Sequence, residues 1–405
     1  MTEPASALGS DFRRLWIAVG ASQTGSALAL GAFTFVATEV LLASSFQVSL
    51  LAAAGYVAAV LLGLPMGPWV ELRRKRPVLI AADLVRATAL FSVPIAYLAG
   101  VLTYVHLLLV AVVVGYGQML SLTASTAHLK ALVAPELRTT AASRIETTGW
   151  IATSSGPPLG GALLGVIGPT ITLALDAVAH LLSALSLSRI LKPEPAPAIR
   201  PPDHRWRRDL TTGWIFLLGH ATLRPLFVNA MLFGAMVMGT QPLIQVFMLR
   251  DLGFTPFQYG LTLGLPAIAG LAGAMLAPRL ARRWGRDRVM VVLGALRAGW
   301  LIPIALAPPG LAGVVVIIAC DTMLLFFAGA FNPLFVSHRM DAVPDHLMAR
   351  VSAAWGISNR VLWPVTMLLS GALAMMFSTQ VSIVVGGVIL ALSGLLLPWR
   401  LVRQD

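Results

Sequence analysis

Gly67-Pro68-Trp69-Val70-Glu71-Leu72-Arg73-Arg74-Lys75-Arg76-Pro77 is a glycine-started turn with four consecutive cations, set between two long apolar segments. Hydrocarbon cannot accept such a cluster, so the stretch marks a place where the chain leaves a bilayer on its positive side. Its spacing returns in Gly273-Ala274-Met275-Leu276-Ala277-Pro278-Arg279-Leu280-Ala281-Arg282-Arg283-Trp284-Gly285-Arg286 (273 − 67 = 206). About half of the 405 residues separates the copies, which predicts a polytopic membrane protein built from two similar halves.

Composition points the same way. Hydrophobic residues make up 57% and charged residues 11%, with mean hydropathy +0.82. A soluble domain carries roughly a quarter charged residues. The first ten residues are polar and the apolar run from Leu15 is too long for a signal-peptide core, so the first span is expected to act as its own insertion signal. The net charge of +12 sits at the ends of apolar spans rather than on one domain face. That distribution argues against a nucleic-acid partner and for an orientation signal. Cys320 is the single cysteine and has no intrachain disulfide partner.

Twelve segments reach the ~20 residues that a bilayer core demands. They are 15–37, 47–66, 78–98, 104–127, 140–166 and 170–190, then 223–249, 258–279, 289–306, 312–336, 348–376 and 381–399. Cations gather at 73–76, at Lys130 with Arg138, at 192–208, at 282–288, at Arg339 and at both termini, while the opposite loops hold Arg250 alone. Both termini are therefore expected in the cytoplasm, in a multi-pass protein of the cell (inner) membrane. Residues 191–210 are basic and carry prolines 193, 195, 197, 201 and 202, which keeps the segment extended. It reads as a tether or a regulatory docking site, and residues 209–220 are expected along the membrane surface. The domain organisation expected is 1–190, an N-terminal six-helix bundle; 191–210, a cytoplasmic linker; and 211–405, a C-terminal six-helix bundle.

The repeat extends beyond the basic turn. Pro135-Glu136 with Ser143 matches Pro344-Asp345 with Ser352 (344 − 135 = 209), and Val78 through Arg86 matches Val289 through Arg297 (297 − 86 = 211). Landmarks at nearly one offset indicate duplication of a six-helix unit. Such halves enclose a cavity at their interface, and rocking opens it to alternate sides.

With these landmarks in hand, the Gly67 turn resembles the signature of the major facilitator superfamily, Gly-x-x-x-Asp-Arg-x-x-Arg-Arg between helices 2 and 3. Gly67, Lys75 and Arg76 fit, Glu71 stands for the aspartate, and Leu72 replaces the first arginine. The fifth segment carries Gly156-Pro157-Pro158-Leu159-Gly160-Gly161, similar to the Gly-Pro-x-x-Gly-Gly motif of the superfamily's antiporters. The run 156–185, with Ser22-Gln23-Thr24-Gly25, is most similar to the branch of enterobactin-type and drug exporters. The fold class this implies is an all-α membrane protein with twelve transmembrane helices in two pseudo-symmetric six-helix bundles.

In the superfamily the acid of the turn docks at the N-terminus of helix 11 and latches the cytoplasmic side. Glu71 would take that role against a helix starting near Pro344-Asp345, the alternative being an orientation signal alone. Ala277 stands at the matching position of the second half, where the latch is expected to be weak or absent. Pro157 and Pro158 should bend the fifth segment, and Gly160 and Gly161 should pack closely on a neighbour, with Gly260 and Gly264 of the eighth offering a matching face.

Charges inside the membrane cost ~2.5–3.5 kcal/mol or more each unless paired or hydrated. Asp321 and Arg360 both fall at mid-depth, on consecutive segments, and form a candidate pair: a proton or substrate site, or a static ion pair. Asp176 and His180 are four apart on one helix face and either pass a proton or bond to serines and threonines of the fifth segment. Asp83 and Arg86, three apart, read as a structural pair. The resemblance places helices 1, 4, 7 and 10 along the cavity. Gln23, Gln118, Asn229 and Gln241 are then substrate contacts or interhelical hydrogen bonds.

No His-Glu-x-x-His, Gly-x-Ser-x-Gly or phosphate-loop pattern occurs, so neither an enzyme nor an ATP-driven pump is expected, and no cofactor or metal. The function expected is secondary transport: proton-coupled export of small amphipathic molecules by a monomer in the lipid bilayer. The competing readings are an importer or lipid flippase of the same fold, and a non-transporting scaffold or sensor.

Overall fold

The computed structural model describes residues 8–71, 73–194 and 206–403, leaving aside the side chains of 59, 62–71, 206–210, 346, 349 and 403. Regular structure among the described residues is helical throughout. Eight helices are long and apolar enough to cross a bilayer: Lys75–Leu98, Tyr104–Leu132, Pro169–Ser188, Leu223–Asp251, Pro256–Trp284, Arg286–Ala305, Leu311–Ala342 and Thr379–Leu396. Four more of 20 to 32 residues, Gly9–Leu28, Ser45–Glu71, Arg138–Ile167 and Asp345–Met376, coincide with the remaining predicted segments.

Two of the twelve are interrupted. The first ends at Leu28, resumes as Ala32–Phe35 and finishes in a π-helical turn, Val36–Val40. The ninth breaks between Arg286–Leu296 and Leu301–Ala305. Pro303 explains that second break: it has no N–H for the Gly299 carbonyl, and its ring crowds that carbonyl.

The chain divides into two compact units, Met1–Ala43 with Ala54–Pro201, and Ser44–Ala53 with Pro202–Asp405. The first unit buries Leu15, Ala18, Val78, Leu79, Ala124 and Leu187 together. The second buries Leu226, Val289, Met290, Ala330 and Phe331. Leu226, Val289 and Met290 stand 211 residues after Leu15, Val78 and Leu79 (226 − 15 = 211).

The duplication is also written in the backbone. The π-helical turn Val36–Val40 recurs as Phe247–Asp251 (247 − 36 = 211). After each, one residue takes the left-handed conformation, Leu42 at φ 50 and Gly253 at φ 65. A reciprocal cap follows, Ser44 with Gln47 in one copy and Thr255 with Gln258 in the other.

Residues 209–220, expected along the membrane surface, fall largely in a helix, Trp206–Gly219, seated on the eleventh span. Trp214 Nε1 donates to Ser358 Oγ at 2.9 Å. A Cβ on Gly213 would lie 2.3 Å from the Arg350 carbonyl oxygen, so only glycine permits this approach.

Candidate functional site: a buried charge cluster in the first unit

Four spans of the first unit converge on two carboxylates. Arg86 donates from Nη2 to Asp83 Oδ1 at 2.5 Å, from Nη1 to Gln118 Oε1 at 2.8 Å and from Nη2 to Ser121 Oγ at 2.8 Å. Ser183 Oγ donates to Asp83 Oδ2 at 2.6 Å, and His180 Nδ1 lies 3.1 Å from Asp83 Oδ1. The other imidazole nitrogen, Nε2, stands 3.5 Å from Asp176 Oδ1. Ser26 Oγ donates to that same oxygen at 3.2 Å. Helical spacing explains the local geometry: Asp83 and Arg86 are three apart on the third span, Asp176 and His180 four apart on the sixth. Glycine brings the backbones close enough. A Cβ on Gly25 would sit 2.4 Å from Ala179 Cβ and 2.8 Å from Asp176 Oδ1, and one on Gly117 would sit 2.7 Å from Arg86 Cγ.

Asp83, Arg86, Asp176 and His180 are each 0–3% exposed. Buried charge persists only when paired or hydrogen-bonded. Two carboxylates face one guanidinium, and the imidazole lies between the acids. A neutral imidazole has a single N–H and can donate to one acid only, while a second proton lets it donate to both. His180 Nε2 is buried and has no hydrogen-bond partner among the described residues. A cavity of about 50 Å³ reaches the cluster, with Gln23, Asp83, Arg86, Gln118, Ser121 and Ser183 in its wall. That is room for a few waters.

The second unit keeps the arginine and loses the acid. Arg297, 211 residues after Arg86, is 2% exposed and donates to Asn229 Oδ1 at 2.7 Å. Its guanidinium carbon lies 4.1 Å from the Phe233 ring centre and 3.8 Å from that of Phe331, a cation held between two aromatic faces. Gly294 occupies the place of Asp83 (294 − 83 = 211), so no carboxylate is available there. The duplicated arginine therefore serves a polar cluster in one copy and an aromatic clamp in the other.

The remaining predicted positions are scattered. Asp321 is half-buried and Arg360 exposed, and neither makes a hydrogen bond or ion pair among the described residues. The anticipated Asp321–Arg360 pair does not form, because residue count fixes depth along a helix and leaves direction around it free. Asp176 and His180 bond to the first and third spans rather than to serines and threonines of the fifth. Asn229 is fully occupied: its Nδ2 donates to Ser393 O at 2.9 Å and its Oδ1 accepts from Arg297. Gln118 is held by Arg86, whereas Gln23 Oε1 is buried without a partner among the described residues. Gln241 is half-buried and unbonded among them.

In the fifth span Gly156 and Gly160 close on the first span. A Cβ on Gly160 would lie 2.0 Å from Leu28 O, and one on Gly156 would lie 2.5 Å from Ala27 Cβ. Pro157, Gly160 and Gly161 are buried in the same helix. The surroundings of Gly67 and the side chain of Glu71 lie outside the described residues, as does Leu72. Lys75 Nζ donates to Arg73 O at 2.6 Å, and Arg76 Nε donates to Leu187 O at 3.0 Å.

Comparison with known proteins decides the family. The sequence profile of the Major Facilitator Superfamily matches residues 15–367. The chain belongs to the major facilitator superfamily. It is 24% identical over 346 residues to the multidrug efflux pump Tap of Mycolicibacterium fortuitum, an alignment covering 82% of this chain and 81% of that one. In fold it resembles the nucleoside transporter NupG, with TM-score 0.73 and 16% identity over 96% of this chain and 98% of that one. A bacterial homologue of the iron transporter ferroportin in its inward-facing state gives TM-score 0.72 at 15% identity, covering 95% and 98%. The protein is thus a multi-pass membrane transporter of the major facilitator fold, not an enzyme.

The sequence pairs Asp83 with Arg86 and Asp176 with His180 without joining the pairs. Two acidic-basic pairs at mid-span are the available signal. Ser26, Ser121 and Ser183 give none, since serine is unremarkable in a membrane helix until its partner is known.

Proposed function

We propose that this transporter is a proton-coupled exporter of small amphipathic molecules, acting as a monomer by alternating access in the cell membrane with both termini in the cytoplasm. The observation that carries the reading is the imidazole of His180 set between the carboxylates of Asp83 and Asp176 beside a water-sized cavity. A proton arriving at Asp83 from the cavity can pass to His180 and be shared with Asp176, which changes the charge of the cluster by one without moving a backbone. Spans 1, 3, 4 and 6 all contribute to it, so the change in charge bears on how those helices pack. Asp321, unpartnered among the described residues, is the second candidate for the proton or for a cationic substrate group, while Gln23 and Gln241 are available to meet substrate. Export is favoured by the likeness to an efflux pump and by the glycine face of the fifth span.

The test is transport in proteoliposomes across a panel of lipophilic drugs, with an imposed pH gradient, comparing the native protein with Asp321→Asn. Movement of substrate against proton flow, at least tenfold above protein-free vesicles, supports the reading. Movement along with protons assigns an importer, movement of labelled lipid alone assigns a flippase, and no gradient-driven movement of any compound rejects transport coupled to protons. An Asp321→Asn variant that exports every substrate as well as the native protein removes Asp321 from the mechanism.

A further inference from the structure

The cationic mouth of the third span opens on a groove outside the buried charge cluster. It has a volume of about 550 Å³, with Arg74, Arg76 and Lys192 at one end and Ile80, Ala81 and Leu84 along its floor. Pro77, Ala81 and Leu84 lie on one helix face and are exposed. At 1.5 Å rise per residue that apolar strip runs roughly 10 Å from the cations down the span.

The cations are positioned but not neutralised. Arg76 donates to the last carbonyls of the sixth helix, Leu187 O at 3.0 Å and Ser188 O, and Lys192 Nζ donates to Leu132 O at 2.9 Å. Arg74 is exposed and unbonded among the described residues. None of the three forms an ion pair among them. Glu194 is the acid of the groove, and it is turned inward. Its side chain is 9% exposed, and its Oε1 accepts from the Arg76 amide at 2.9 Å and contacts His128 Nδ1 at 3.0 Å. Two exposed cations, Arg74 and Lys192, and the half-buried Arg76 thus gather beside an apolar strip at the end of a membrane helix.

We propose that this groove binds an anionic phospholipid of the phosphatidylglycerol type, its phosphate against Arg74, Arg76 and Lys192 and an acyl chain along Ala81 and Leu84. Charge complementarity selects a lipid without a headgroup amine, since a zwitterion would bring a fourth cation to the same end. The strip favours a lipid over a soluble phosphate, because a lipid's phosphate carries a chain that can lie along Ala81 and Leu84 and a free anion does not. The site is separate from the buried charge cluster and stands whether or not protons drive transport.

Full-length protein reconstituted in vesicles of phosphatidylcholine with about a quarter phosphatidylglycerol, then released for native mass spectrometry, tests this. The native protein and Arg282→Gln, an exposed cation elsewhere, should each retain phosphatidylglycerol in preference to phosphatidylcholine. Arg74→Gln with Lys192→Gln should lose retention by on the order of tenfold or more, at about fivefold per cation, with unchanged thermal stability. Millimolar inorganic phosphate should not displace the lipid. Equal retention by the double variant, equal retention of phosphatidylcholine by the native protein, or displacement by inorganic phosphate would each overturn the assignment.

Discussion

Asp83 accepts from Arg86, His180 and Ser183 at once. Among the described residues Arg297 has only an amide and two rings. The contrast predicts unequal responses to the same substitution. Arg86→Met strands a buried carboxylate and should cost about 3–5 kcal/mol, the usual penalty for halving a buried pair. Arg297→Met removes a buried charge that has no countercharge among the described residues and strands only an amide oxygen, for about 1–3 kcal/mol. Thermal unfolding in detergent measures both, and Arg297→Met proving the more damaging would contradict this view of the two sites. At this scale the sequence reveals each i,i+3 and i,i+4 pair, because helix geometry alone makes them. It cannot join Asp83 to His180, which depends on the third span lying against the sixth. The Asp321–Arg360 pairing fails because azimuth on a helix needs a known neighbour.

Among the elements, the turn after each copy of the π-helical segment shows what duplication left unrepaired. Gly253 takes φ 65 freely, whereas Leu42 is held at φ 50 with its side chain 78% exposed. A left-handed leucine costs roughly 1–2 kcal/mol, and glycine returns part of that as unfolded-chain entropy. Leu42→Gly should therefore stabilise the protein by about 0.5–1 kcal/mol, and a lower unfolding temperature for this variant would contradict the strain. At the other end of the first unit the chain after the sixth span is tied down by Asp11. Its Oδ1 accepts from the Leu191 amide at 3.1 Å and its Oδ2 from the Lys192 amide at 2.9 Å. Partial burial works against the charge, but those two amides and Arg14 outweigh it and hold the carboxyl below the usual carboxylate range. A lowered carboxylate stabilises fully above its ordinary pKa near ~3.9 and loses that contribution as pH falls through the lowered value. Hydrogen-exchange protection of Leu191 and Lys192 should hold from about pH 7 to about pH 5 and vanish only in stronger acid. Loss between those two values would show that another group ties the segment. Spans are legible from length and hydropathy. The glycine face at Gly156 and Gly160 is legible as a face, but its partner, the first span, is not, since small residues advertise closeness and not identity.

For the whole molecule, repeated landmarks make the duplication readable from the residues alone. The offset of 211 residues between Arg86 and Arg297 holds for core residues, π-helical turns and caps alike. Family membership is legible in the basic turn and the fifth-span motif even though Leu72 and Glu71 depart from the signature. Cargo and direction are not readable, because they depend on which side chains meet substrate, and spacing along a single helix does not give that. The proposed coupling rests on protons moving through His180 between two acids, and proton movement itself is the most direct measurement of it. Proteoliposomes loaded with a pH-sensitive dye and given substrate without an imposed gradient should show a proton signal that scales with substrate carried. In Asp176→Asn and His180→Gln that signal should fall at least tenfold while substrate binding, followed by tryptophan fluorescence, persists. An undiminished ratio of protons to substrate in both variants would contradict it.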